Sequence, residues 1–130
     1  MFVAQVLASA VLLTTVAQGT MSNIDEPRQV VVRSAAEWQT LWKEHDPGSA
    51  APRVDFTQSI VVGVFLGSRP TAAFTVEITS VKTEGNRTIV EYLERQPPRD
   101  ALVAQVLTSP FHAVRLARQA GTIEFKRLTP

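Results

Sequence analysis

Apolar positions recur along this chain in two rhythms. Trp38, Leu41, Trp42 and His45 fall at i, i+3, i+4 and i+7, the spacing that lines up one face of a helix. Ser34-Ala35-Ala36-Glu37 opens that stretch as a capping box. In it the Ser34 hydroxyl accepts from the Glu37 amide while the Glu37 carboxylate reaches back to the Ser34 amide. Pro47 and Gly48 close it, which predicts one amphipathic helix from Ala35 to Glu44 or His45. Elsewhere the period is two or the run is unbroken. "QVVVR" after the turn-like "NIDEPR" suits a short strand. "SIVVGVFLG" is continuous and of strand length, so it predicts a central strand buried on both faces. Its Gly63 points to a bulge or a close neighbour, with the tryptophans as candidates.

Phe74, Val76 and Ile78 alternate with Thr75, Glu77 and Thr79, and "TIVEYLER" returns after "TEGNR". Residues 74–95 therefore read as a hairpin turning near Glu84 to Asn86. Pro97 and Pro98 cannot sit in a central ladder. "ALVAQVLTSP" suits a strand or a helix until Pro110 stops it, and it repeats the "VAQVL" of residues 3–7 without any repeat spacing. His112, Val114 and Leu116, then Ile123 and Phe125, predict a closing antiparallel pair. The expected fold is α+β: a mainly antiparallel sheet or sandwich of about six strands, with Trp38 and Trp42 packing one helix onto it.

No charged side chain precedes Asp25, and the first residues are mostly apolar, so 1–13 reads as a signal-peptide-like or apolar segment. Residues 14–130 read as a single domain. Ala8-Ser9-Ala10 and Ala17-Gln18-Gly19 are cleavage-like, although the n-region lacks a Lys or Arg; Val11 to Val16 is also rich enough in β-branched residues for a strand. The balance tilts toward export to the periplasm or cell envelope. Gln5, Ser9, Thr14 and Thr15 interrupt the stretch, so no stable membrane span is expected.

Composition narrows function mainly by exclusion. A net charge of +1 over 130 residues provides no field for nucleic acid, and no cysteine means no disulfide, thiolate ligand or cysteine nucleophile. Arg115, Arg118, Lys126 and Arg127 form the main basic cluster, assigned to the last hairpin, where edge charges discourage strand pairing. His45 and His112, with Asp46 and Asp55, are the only set that suggests a metal or acid–base site, yet their spacing matches no ligand pattern. Both histidines lie on apolar faces, where a structural role is the ordinary one. Ser59, Ser68, Ser80 and Ser109 lie in no nucleophile elbow or Ser-x-x-Lys motif, and no glycine loop is built for phosphate. The residues thus support a domain with no catalytic group, no metal and no cofactor.

One interruption stands out. Between two apolar strands, Gly67, Ser68, Arg69, Pro70 and Thr71 lead to Phe74, longer than a plain hairpin turn and stiffened by proline. A pre-organised loop loses little entropy on binding, so it is the candidate partner-binding loop, with Trp38 and Trp42 as scaffold. "EWQTLWKEH", "PRVDFTQSIVVGVFLGSRPT", "VEI" and "VLTSPFHAVRL" resemble the C-terminal domain of PrcB-like proteins, over about Thr15 to Phe125. That family is named for a non-peptidase subunit that stabilises a secreted bacterial protease complex. The resemblance implies a protein-binding or protease-stabilising module whose partner is a protein. Family members commonly show Pro-Thr-Gly-Gly-Tyr where this chain has Pro70-Thr71-Ala72-Ala73-Phe74. No lipobox cysteine is present, so a lipid anchor is not implied. Pro70 and Thr71 also match part of the Asn-Pro-Thr-Thr-Gly loop of chagasin-type inhibitors, giving an alternative: a peptidase inhibitor that presents Arg69–Phe74.

Overall fold

A computed structural model describes residues 8–130. Eight strands and one helix follow in the order β1 (Ser9–Val11), β2 (Thr14–Gly19), β3 (Arg28–Val32), α1 (Ala35–His45), β4 (Ser59–Phe65), β5 (Thr75–Glu84), β6 (Arg87–Arg95), β7 (Phe111–Ala117) and β8 (Thr122–Leu128). They form two four-stranded sheets, ordered β1-β5-β6-β8 and β2-β7-β4-β3. The class is α+β as expected, but with eight strands in place of about six. The two extra strands come from the N-terminal apolar stretch, which splits at Leu12-Leu13 and gives one strand to each sheet. Residues 1–7, including the first "VAQVL", lie outside the described residues. No helix among the described residues is long and apolar enough to cross a membrane.

β4 organises both layers of the core. Ile60, Val62, Val64 and Leu66 face the other sheet and pack with Val76, Ile78, Val81, Val90, Tyr92, Val114 and Leu116. Val61 and Phe65 face the opposite way, against Trp38 and Leu41 of α1 and Phe111 and Ala113 of β7. An unbroken apolar run is what a strand sandwiched between a helix and a second sheet requires. Gly63 lies on the helix face without a bulge: β4 keeps continuous register with β3 and β7. A Cβ there would meet Val30 Cγ2 at 3.1 Å and Phe65 Cε2 at 3.5 Å, so the close neighbours are these residues and not the tryptophans.

The helix runs over the residues its pattern predicts. Ser34 Oγ accepts from the Glu37 amide at 3.2 Å, but the Glu37 carboxylate accepts from the Ser34 hydroxyl at 3.1 Å in place of the Ser34 amide. The indole N–H of Trp38 donates to Pro52 O and that of Trp42 to Ser49 O, fixing the 46–58 connection over the helix.

The closing hairpin does not form. β7 pairs antiparallel with β4 and β2 in one sheet, whereas β8 pairs parallel with β6 in the other. Alternation gave both strands correctly but carries no information on partners. The basic cluster is divided accordingly, with Arg115 on β7 and Lys126 and Arg127 on β8. Residues 101–107, the greater part of the stretch expected as strand or helix, are irregular and mostly exposed.

Candidate functional site

Backbone hydrogen bonds place the Arg-Pro loop first. Leu66 N–H donates to Pro110 O, and Gly67 then turns the chain with φ 79°. A Cβ at Gly67 would lie 2.8 Å from Pro27 N and 2.9 Å from the Glu26 carbonyl carbon, so glycine is required there twice over. Ser68 N–H donates to Asp25 O, and Arg69 exchanges two hydrogen bonds with Thr108, at 2.8 and 3.0 Å. Ala72 N–H donates to Ala104 O, and the Thr108 hydroxyl donates to Thr71 O at 2.9 Å. The loop is thus laced along its length to residues 104–108, and the two segments form one platform at the end of β4.

Arg69 turns inward. Its Nε and Nη2 grip both oxygens of Glu94 at 2.8 and 3.0 Å, and Nη1 donates to Leu66 O at 3.1 Å and Ser68 O at 3.0 Å. Glu94 is 4 % exposed and also accepts from Arg127 Nη2 at 2.8 Å. The Arg69 guanidinium, foremost through hydrogen bonds, holds the Glu94 carboxyl below its usual range against the opposing pull of burial. Arg69 is therefore an anchor for the platform. The loop residues left exposed are Ser68, Pro70 and Ala73, while Gly67 is buried and Thr71 and Phe74 are half-buried. Leu102, Val106 and Leu107 stand exposed on the companion segment, Leu107 by 73 % and Leu102 fully.

Trp38 is buried and Trp42 half-buried, 5.4 Å apart between ring centroids, on the helix face of the sheet. The histidines lie on opposite faces of that sheet. The His45 ring packs 4.3 Å from Phe111 and 4.7 Å from Trp42, and its Nδ1 lies 2.7 Å from Ser22 Oγ. His112 accepts at Nδ1 from the Ile78 amide at 2.8 Å, which puts its proton on Nε2, donating to Thr15 Oγ1 at 2.8 Å. That amide lies on the stretch of β5 beyond its pairing with β1, so His112 bridges the two sheets. Burial lowers the basicity of both rings. Asp46 receives Ser49 Oγ and Gly48 N–H, and Asp55 receives Thr57 Oγ1 and N–H; each serves a local turn. Among the described residues, no three His, Asp or Glu side chains are grouped to hold a metal.

The sequence singled out the loop as a candidate but pointed neither to Glu94 nor to the companion segment 96–108. Glu94 was findable: it shares the inward parity of Val90 and Tyr92 on β6, and a carboxylate in a core register demands a cation. The companion segment carries no periodic signal.

Residues 60–117 match the family model described as PrcB C-terminal, in support of the resemblance drawn from the sequence. The match contains β4, both platform segments and β7, and leaves out α1 and β8. No curated protein matches, and no solved structure matches.

Proposed function

With the PrcB C-terminal match spanning the platform, we propose that this chain is a non-catalytic module that binds and stabilises a partner protein of the protease-complex class. The observation that carries the reading is the overlap: the matched residues build a rigid two-segment platform that leaves Ser68, Pro70, Leu102, Val106 and Leu107 uncovered. Platforms of this kind bind without a large ordering cost, because the backbone is already fixed. A cluster of exposed aliphatic side chains suits a protein surface better than a small solute. The candidate contact residues are Ser68, Pro70, Thr71 and Phe74, with buried Gly67 setting the turn, Arg69 acting through Glu94, and Trp38 and Trp42 holding the layer beneath.

The test compares the chain with a Leu102→Asp/Leu107→Asp variant, which alters only exposed side chains. Each is co-incubated with secreted peptidases encoded beside it, and complex formation and peptidase half-life are measured. We expect the wild type to form a complex and prolong the half-life, and the variant to lose both at an unchanged melting temperature. A half-life prolonged equally by both proteins, or by neither, removes the platform reading.

A further inference from the structure

The four sheet edges are not equally defended. β1 is three residues long, β2 breaks register between Thr15 and Ala17, and β8 carries Glu124, Lys126 and Arg127. Short edges, bulges and charges each discourage a further strand from adding. β3 carries such a defence only at its first residue, Arg28, which is paired with Glu26 and Glu44. Gln29-Val30-Val31-Val32 is uncharged, free of proline and in regular antiparallel register with β4 alone. Among the described residues, its backbone makes no hydrogen bond outside that ladder.

Beside this open edge lies a groove of about 440 Å³, floored by Val30, Val31 and Val32 and walled by Ala36, Thr40 and Leu41 of α1. A strand edge flanked by a helix is the arrangement into which an extended segment adds. Its main chain extends the sheet, and alternate side chains enter the space under the helix. The only charged side chains lining the groove are Glu37 and Glu44. Glu44 is shared with Arg28, whereas Glu37 has no cationic partner among the described residues and is met only by the Ser34 hydroxyl.

We infer that the β3–α1 groove receives an extended polypeptide segment of a partner as a fifth strand, whose helix-facing side chains, every second residue, include both aliphatic residues and lysine or arginine. The aliphatic residues lie against Leu41 and Ala36, and the cations meet Glu37 and Glu44. This surface belongs to the sheet edge and stands independently of the loop platform.

A fluorescein-labelled peptide in which threonine alternates with a set of valine and lysine residues on the other face, with a counterpart carrying glutamate for lysine, tests it against the full chain. We expect saturable anisotropy for the lysine peptide and at least tenfold weaker binding of the glutamate peptide. Amide shifts should concentrate at 28–33 and along α1. Ala36→Arg/Thr40→Arg, which fills the groove from exposed positions, should abolish binding. Glu37→Gln/Glu44→Gln, which leaves the groove open, should weaken only the lysine peptide. Equal affinity for both peptides, or shifts elsewhere on the molecule, overturns the assignment. So does sedimentation of the free protein as a dimer that Ala36→Arg/Thr40→Arg dissociates, which would make a second copy the occupant.

Discussion

Ala73 is the one residue other than glycine with positive φ among those described, at 73°. In that region the Cβ of an L-residue crowds the carbonyl, a cost of about 1–2 kcal/mol. The sequence shows Ala72-Ala73 where family members commonly carry two glycines, and the loop keeps the glycine-type backbone despite the change. Restoring glycine removes the crowding but adds freedom to the unfolded chain, worth about 0.5–1 kcal/mol against it. Ala73→Gly should therefore stabilise the protein by about 0.5–1 kcal/mol, read as a higher urea midpoint at constant m-value. A lower midpoint would show that the left-handed turn is not strained. Arg69 teaches the complementary lesson at the same scale. Its neighbours in sequence, Ser68 and Pro70, suggested display, because local reading cannot see that Glu94, two strands away, needs a cation.

Among elements, α1 and β4 were legible because their patterns are long and internally consistent. The helix boundaries follow from caps and a 3.6-residue period, and β4's unbroken run already implied cover on both faces. Partner choice was not legible. β8 alternates as well as any strand of the chain, yet pairs in parallel with β6, a decision made by long-range packing of Ile123 and Phe125 against the inter-sheet core. Residues 103–107 repeat an apolar pentapeptide and form no element at all. Pro97, Pro98 and Pro110 bracket them, and Ala104 is spent on tying the loop. The tryptophan pair separates the two kinds of contribution an element makes. Trp38 is 3 % exposed and donates to Pro52 O, so Trp38→Ala opens a cavity between α1 and β4 and should cost about 3–5 kcal/mol. Trp42, half-buried at the helix rim, should cost less than half of that on truncation. Paired denaturation curves check the order, and equal losses would mean that the helix layer is not anchored through Trp38.

At the scale of the molecule, both layers of the core hold groups whose protonation matters, His112 between the two sheets and His45 between helix and sheet. His112 accepts from the Ile78 amide, an arrangement available only to the neutral ring, and His45 sits among three aromatic rings. Burial lowers both below the ordinary 6.5, with Glu77 acting the other way on His112 and Asp46 on His45. On acidification the unfolded chain therefore takes up protons before the folded one does. In that window it binds more protons, so stability present above about pH 6.5 is lost as pH falls through the folded values. Glu94 adds a second window. Its carboxyl is held below the ordinary 4.5, so the ion-pair contribution persists above about pH 4.5 and is lost as pH falls through its folded value. The urea midpoint should thus be level from about pH 8 to 7, decline below about pH 6.5, and decline again below about pH 4.5. In His45→Gln/His112→Gln the upper decline should vanish while the lower one remains, whatever the variant's absolute stability. A wild-type midpoint that stays level down to about pH 5 would mean that neither imidazole is held neutral by the fold. The bridge from β7 to the β5 amide would then have to survive protonation, which an acceptor nitrogen cannot do.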